Sequence, residues 1–313
     1  MSSSKWIWNG KLIPHDDAKI HVGSSALHFG PNAFEGIRCY GFTSGRSVFF
    51  RLREHIERLL ASAHSLHLEI PFSPEELERA CIETVLANGH SNAYVRPLIF
   101  PGSGALGFGR SSGFAECYIL SFPWQNEHVE RSQKQGIRLH VASVIRTQAH
   151  PLMSKCKISA NYAAGLLAIY EARKAGCDDA LLLDAAGSVA EASTANVFAV
   201  WGNRIATPPL HLPILAGITR DTLLVLAGEL GMDVNEATFD VQTLASADEI
   251  FIAGTTCEVT PVCYVDGRKV GDGVPGPITT KLLTALQEAV RGVGPDRGWL
   301  TPAHRINRAS TLD

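Results

Sequence analysis

The chain has 313 residues, 45% of them hydrophobic and 19% charged, which is enough to bury a substantial core in one large domain or two smaller ones. Its formal net charge is −3, with no basic stripe or acidic tail, so nucleic acid and anionic membrane surfaces are poor partners; no apolar run approaches the ~20 residues of a membrane helix. Seven scattered cysteines without a Cys-x-x-Cys suit the reduced thiols of a cytoplasmic protein, and none of the twelve histidines has metal-ligand spacing.

The first residues, Met1 to Trp6, lack the apolar core of a signal peptide. Trp6-Ile7-Trp8, Asn9-Gly10 and Lys11-Leu12-Ile13 predict a hairpin, because Asn-Gly favours the tight turn that twisted strands require. A second strand pair, Glu35 to Tyr40 and Ser47 to Phe50, flanks Gly41 to Gly45. A helix from about Leu52 repeats Ile56, Leu59, Leu60 and Ala63 at helical spacing. Another starts at Ser73-Pro74, with Glu76 set for a capping box and Gly89 at its end. Strands Tyr94 to Phe100 and Glu116 to Phe122 complete a small α+β domain over 1–124. Gln125 to Gly136 is polar and without apolar period, and reads as a linker (125–136). The larger domain, 137–313, opens with strand Ile137 to Val144. There follow helix Tyr162 to Lys174, strands Ala180 to Leu183 and Asn196 to Trp201, and helix Thr219 to Leu230. Strand Glu249 to Ala253, a hairpin over Val259 to Val265 turning at Asp266-Gly267, and helix Ile278 to Val290 end the ordered part. The tail beyond Thr301 is expected to fray.

Four features of the second half serve one chemistry. Lys157 lies just before an amphipathic helix, and Lys155 rivals it on chemistry alone. Glu191 lies between two apolar strands, in what reads as a loop of small residues. Gly217-Ile218-Thr219-Arg220 opens a helix, where backbone amides and the positive helix end face outward. Gly254-Thr255-Thr256 follows a buried strand. Taken singly, these are a surface lysine, a solvated acid, an N-cap and a turn. Together they offer what pyridoxal 5′-phosphate requires: an amine for its aldehyde, a carboxylate for its ring nitrogen and a cradle for its phosphate, to which Arg51 would add positive charge.

Two other motifs point elsewhere. Gly102-Ser103-Gly104-Ala105-Leu106-Gly107 satisfies G-x-G-x-x-G but leads into a strand instead of the helix that receives a pyrophosphate. Ser154-x-x-Lys157 matches a serine acyl-enzyme motif without the downstream Ser-Asp-Asn or Lys-Thr-Gly, and leaves an acyl-transferring hydrolase as a remote alternative.

Several blocks make the chain resemble the branched-chain amino acid aminotransferases, of the fold type IV pyridoxal-phosphate group, from about Trp6 to Leu300. They are Ala26-Leu27-His28-Phe29-Gly30, Phe34-Glu35-Gly36-Ile37-Arg38, Phe50-Arg51-Leu52-Arg53-Glu54-His55, Tyr94-Val95-Arg96-Pro97, Phe122-Pro123-Trp124 and the two Gly-Thr turns. The resemblance implies an α+β fold, with a small α+β domain and a larger pseudo-barrel domain, the site between them, closed across a homodimer interface. It makes Lys157 the Schiff-base lysine, four residues before Asn161-Tyr162, and leaves Lys155 outside. It gives Tyr162 the cofactor's phenolic oxygen, Glu191 the ring nitrogen, and Arg51, Ile218, Thr219 and Thr255 the phosphate. Thr256 and the Cys257 amide would face the substrate carboxylate, and Phe29, Phe34, Tyr94, Arg96 and Trp124 would line the substrate side. The Gly102 to Arg110 loop would reach the partner's site. The implied reaction is transamination between leucine, isoleucine or valine and 2-oxoglutarate.

The chain departs from the family at Phe29, where many relatives have Tyr, at Glu127, where bacterial relatives often place an aromatic hydroxyl, and in His150 to Cys156 and Ile158-Ser159-Ala160 around the lysine. These departures leave open a specialised biosynthetic transaminase with another amino donor. A D-amino-acid transaminase or an aminodeoxychorismate-lyase-like enzyme shares the cofactor frame.

Overall fold

The computed structural model describes residues 5–102, 115–125, 127–147 and 151–304. The chain forms two units, Met1–Trp124 with Pro295–Asp313, and Gln125–Gly294.

The first unit is an antiparallel sheet covered by helices. β1 (Lys5–Trp8) and β2 (Lys11–Pro14) pair as a hairpin whose turn residues, Asn9 and Gly10, both have positive φ (45° and 78°), as the two-residue turn demands. α1 (Ser25–Phe29), β3 (Ala33–Phe34), β4 (Ile37–Gly41), β5 (Ser47–Phe50), α2 (Leu52–Ser65), α3 (Pro74–Ala87), β6 (Ala93–Pro101) and β7 (Ala115–Pro123) follow. The strands are ordered β5-β4-β6-β7-β1-β2, with β3 also paired to β6. α2 buries Ile56, Leu59 and Ala63, the stripe seen in its sequence. α3 begins with the expected capping box: the Ser73 hydroxyl accepts from Glu76 N–H at 3.2 Å, and the Glu76 carboxylate accepts from Ser73 N–H at 2.8 Å. Along β6, Val95 and Ile99 are fully buried while Tyr94 and Arg96 alternate onto the other face.

The second unit contains α4 (Glu127–Gln135), β8 (Ile137–Ile145), α5 (Pro151–Lys155), α6 (Tyr162–Lys174), β9 (Asp179–Leu183), β10 (Val189–Ala192), β11 (Asn196–Trp201) and β12 (Arg204–Thr207). It continues with α7 (Ile218–Glu229), β13 (Asp233–Glu236), α8 (Val241–Leu244), β14 (Glu249–Gly254), β15 (Glu258–Val265), β16 (Arg268–Lys269) and α9 (Pro277–Arg291). Six of these strands pair in the circuit β10-β9-β8-β15-β14-β11, and β11 returns to β10. Leu181, Val189, Val197, Ile252, Val262 and Leu139, one from each of them, meet in a single hydrophobic cluster. Each such burial is worth roughly 1.5–3 kcal/mol. Ala168 and Ala172 of α6 pack on Ala142, Ala180 and Leu182, and these small side chains let the helix approach the sheet closely.

Three expectations change. Residues 127–135 form a helix where 125–136 was expected to be a linker. Glu127 and Glu130 in its first turn and Lys134 in its last complement the helix dipole, and Gly136 (φ 71°) ends it. The chain end does not belong with residues 137–313. β17 (Leu300–Pro302) pairs antiparallel with β5, and Ala303 N–H donates to the Ser47 carbonyl at 2.9 Å. That pairing satisfies the open edge of β5, and the Trp299 ring meets Phe50 edge-on at 5.8 Å. Finally, Glu191 is a strand residue of β10, not a loop acid. Among the described residues no helix is long and apolar enough to cross a membrane.

Candidate active site

Lys157 lies in the short connection after α5, ahead of a 3-10 turn, Ser159–Asn161, that runs into α6. Asn161 fixes this connection: its Nδ2 donates to the carbonyls of Met153 (2.6 Å) and Cys156 (3.0 Å). Ile158 is buried beneath it, and the half-buried Lys157 donates from Nζ to the Tyr162 hydroxyl at 2.6 Å. Lys155, at the end of α5, is exposed. Ser154 of the acyl-enzyme motif is buried.

Glu191 stands in β10 just past an irregularity in its pairing with β9, between Val189 and Glu191, of the kind that re-aims a side chain. It is buried. One carboxylate oxygen accepts from Arg146 Nε at 2.8 Å and the other from Leu215 N–H at 3.0 Å. Burial pushes its pKa up from the ordinary range, against the pull of Arg146, the Leu215 amide and the Lys157 amine. Arg146, buried beyond the end of β8, also donates from Nη1 to the Asn161 carbonyl at 3.3 Å, so one guanidinium joins Glu191 to the segment carrying Lys157.

α7 begins at Gly217, so no side chain caps it, and the first helical residues, Ile218 and Thr219, are buried. Such a helix start gathers positive potential. Arg220 turns away from it, donating to the Pro208 carbonyl at 2.9 Å and pairing with Glu236. Thr255 and Thr256 occupy the turn between β14 and β15. A Cβ on Gly254 would lie 3.6 Å from Ala195 Cβ, so this turn approaches the β10–β11 turn. Cys257, whose thiol burial pushes far up, donates to the Gly254 carbonyl at 3.8 Å.

The residues expected to line the substrate side belong to the first unit, where the Phe34-Glu35-Gly36 block divides its work. The Phe34 ring lies under the Arg96 guanidinium at 4.7 Å. Buried Glu35 anchors the block: its carboxylate accepts from His55 Nδ1 at 2.7 Å and from Arg58 at 2.6 and 3.0 Å. Gly36 leaves room for Tyr94, because a Cβ there would overlap the Tyr94 hydroxyl. That hydroxyl accepts two bonds from Arg96, from Nη2 at 2.5 Å and Nε at 3.2 Å. The Tyr94 ring lies 5.7 Å from Trp124, and Arg38 sits 4.4 Å over Trp124 and 4.5 Å over Tyr40. Phe29 ends α1 on the surface, 6.1 Å from the His28 ring. Arg51 caps α2 in a left-handed conformation (φ 53°), bonded to Glu54 at 2.7 Å. Glu127 opens α4 and is exposed. From Ser103 to Arg110 the loop expected to reach a partner lies outside the described residues, as does His150. Among the described residues no group of His, Cys, Asp and Glu could hold a metal ion.

Sequence reasoning assigned no role to Arg146, Asn196 or Leu215. A clue to the first existed: a carboxylate between two apolar strands needs a buried cation, and Arg146 directly follows the apolar strand β8.

The amino-transferase class IV family matches residues 32–265. The chain is 38% identical to the branched-chain-amino-acid aminotransferase of Salmonella typhimurium over 302 residues, 96% of this chain and 97% of that one. It is 39% identical to that of Escherichia coli K12 over 298 residues, 94% of this chain and 96% of that one. Among solved structures, the T.th. branched-chain amino acid aminotransferase with pyridoxamine 5′-phosphate superposes with a TM-score of 0.92. It is 40% identical, covering 97% of this chain and all of that one. The same enzyme complexed with N-(5′-phosphopyridoxyl)-L-glutamate gives a TM-score of 0.90 at 40% identity and the same coverage. The expected two-domain α+β fold with its pseudo-barrel is borne out.

Proposed function

The chain belongs to the class IV aminotransferases, and from that premise we propose that it moves the amino group between leucine, isoleucine or valine and 2-oxoglutarate, with pyridoxal 5′-phosphate as cofactor. The second unit fits that cofactor: it offers an amine beside a phenol, a buried carboxylate and a helix start without a side-chain cap. One observation carries the reading. Lys157 donates to the Tyr162 hydroxyl at 2.6 Å, and Arg146 ties the segment that carries it to the buried Glu191.

Bound pyridoxal phosphate supplies an electron sink for charge developing at the substrate's α-carbon. Lys157 would hold the cofactor by its amine and would carry the proton at the α-carbon. Tyr162 orients Nζ. Glu191, paired with Arg146, would face the ring nitrogen and favour its protonated form. The Ile218 and Thr219 amides with Thr255 would hold the phosphate, to which the resemblance adds the charge of Arg51.

Phe29, Phe34 and Trp124 suit an aliphatic side chain. Arg96, held in place by Tyr94, offers its fork to the γ-carboxylate of glutamate or 2-oxoglutarate. Thr256 and the Cys257 amide take the α-carboxylate. The relative solved with a phosphopyridoxyl glutamate supports glutamate as one partner. The reading includes a homodimer and a cytoplasmic setting, the latter in keeping with cysteines that form no disulfide.

The test is a visible spectrum and an amino-transfer assay on purified protein. We expect a yellow protein that forms glutamate from leucine and 2-oxoglutarate. A protein that stays colourless with added pyridoxal phosphate, or that prefers D-amino acids to L-leucine, would reject the proposal.

A further inference from the structure

Asn196 is buried in β11, opposite Glu191 of β10. The two side chains hold the same residue from either side. Leu215 gives its N–H to Glu191 at 3.0 Å and takes a hydrogen bond on its carbonyl from Asn196 Nδ2 at 2.9 Å. Leu215 lies two positions before Gly217, the cap of α7. The chain then presses against Asn196 a second time, because a Cβ on Gly217 would overlap Asn196 Oδ1. The amide of Asn196 is thus both an anchor and a stop for the segment that leads into α7.

We infer that Asn196 is a positioning residue: with Glu191 it fixes Leu215, and so sets the phosphate-binding start of α7 against the carboxylate that faces the ring nitrogen. This rests on the reading of the α7 start as the phosphate site. Pyridoxal phosphate is a rigid ring with a short arm, so its ring nitrogen and its phosphate must meet groups at a fixed separation. Here one residue spans the two. Removing the Asn196 donor leaves the Leu215 carbonyl without its side-chain partner and frees the segment to shift.

The experiment compares pyridoxal phosphate with pyridoxal, which keeps the ring and the aldehyde but lacks the phosphate. Both are titrated into the full chain stripped of cofactor, and the visible band of the lysine-bound form is followed. Wild type should bind pyridoxal phosphate roughly 10²-fold or more tighter than pyridoxal. Asn196→Ala should weaken pyridoxal phosphate about tenfold and pyridoxal by much less. Gly217→Ala should weaken pyridoxal phosphate by itself. Combined with Asn196→Ala it should cost less than the sum, because the residue it overlaps is gone. Equal losses for the two ligands would mark Asn196 as merely structural and overturn the inference. So would an unchanged ratio in Asn196→Ala, or strict additivity with Gly217→Ala. A wild type that does not distinguish the two ligands would instead reject the phosphate reading itself. If Asn196→Ala does not fold, Gly217→Ala alone decides: loss confined to the phosphorylated ligand supports the inference, and an unchanged ratio overturns it.

Discussion

Arg146 and Glu191 form a buried pair, Nε to Oε1 at 2.8 Å, and each is almost wholly out of solvent. Breaking such a pair from one side strands a charge, whereas replacing both members does not. Arg146→Met should therefore destabilise the cofactor-free chain by about 3–5 kcal/mol, and Arg146→Met with Glu191→Gln by distinctly less. Chemical denaturation of the two variants checks this. If the double variant is the less stable one, the pair is not balanced as described.

Lys157 and Lys155 are two positions apart but differ in setting, one bonded to Tyr162 and the other exposed. Lys157→Ala should abolish the visible band and the activity, and Lys155→Ala should keep both. The opposite pattern would move the site.

On the proposed reading, Glu191→Gln would remove the charge that favours a protonated ring nitrogen. Cofactor should stay bound, and single-turnover amino transfer should slow by ~10² or more, about 2.7 kcal/mol of transition-state stabilisation. Rates within about twofold of wild type would refute the role.

Arg96 is held between Phe34 and the Tyr94 hydroxyl. Arg96→Ala should raise KM for glutamate and 2-oxoglutarate about tenfold or more, and KM for leucine much less. Tyr94→Phe, which leaves the arginine but loosens it, should show the same bias in weaker form. Steady-state kinetics with both substrates decide; equal effects would mean Arg96 only pins the strand.

Burial would raise the Glu35 carboxyl, but Arg58 and His55 outweigh it and hold the group well below the usual carboxylate range. A depressed folded pKa adds stability that is present above the unfolded value, near 4.3, and is lost as pH falls below it. Glu35→Gln should thus destabilise the protein at pH 7 by about 3–5 kcal/mol, with a gap to wild type that narrows toward pH 3. Denaturant midpoints across that range test it. A constant gap would contradict the assignment.

Local signals are legible in the sequence. Asn9-Gly10 dictates a turn that only positive φ allows, and Ser73 with Glu76 closes a capping box within four residues. Lys157 and Lys155 are rivals on local signals alone, and only the family resemblance, through its spacing to Asn161-Tyr162, favours Lys157. The features that escape depend on distant partners. α4 carries Val129 as its sole aliphatic side chain, so it has no apolar stripe to read, and its helix rests on charge placement and on packing against β15. β17 is a strand because β5 offers it an edge, and nothing in Leu300-Thr301-Pro302 announces that. Glu191 reads as a loop acid because an acid in a short strand looks polar; its partners Arg146 and Leu215 lie far along the chain on either side.

The circuit of strands has one narrow join. β10 meets β11 at a single bridge, Glu191 opposite Asn196, with Ala192 N–H donating to the Ala195 carbonyl at 2.7 Å just beyond it. A join that short protects few amides, so hydrogen exchange in the cofactor-free protein should be fastest there among the six barrel strands. Both residues of the join also hold Leu215, so a ligand engaging Glu191 and the α7 start would close the seam from outside. Cofactor should then slow exchange at β10 and β11 more than at β8 or β9. The enzyme's weakest stitch would be the one its cofactor ties.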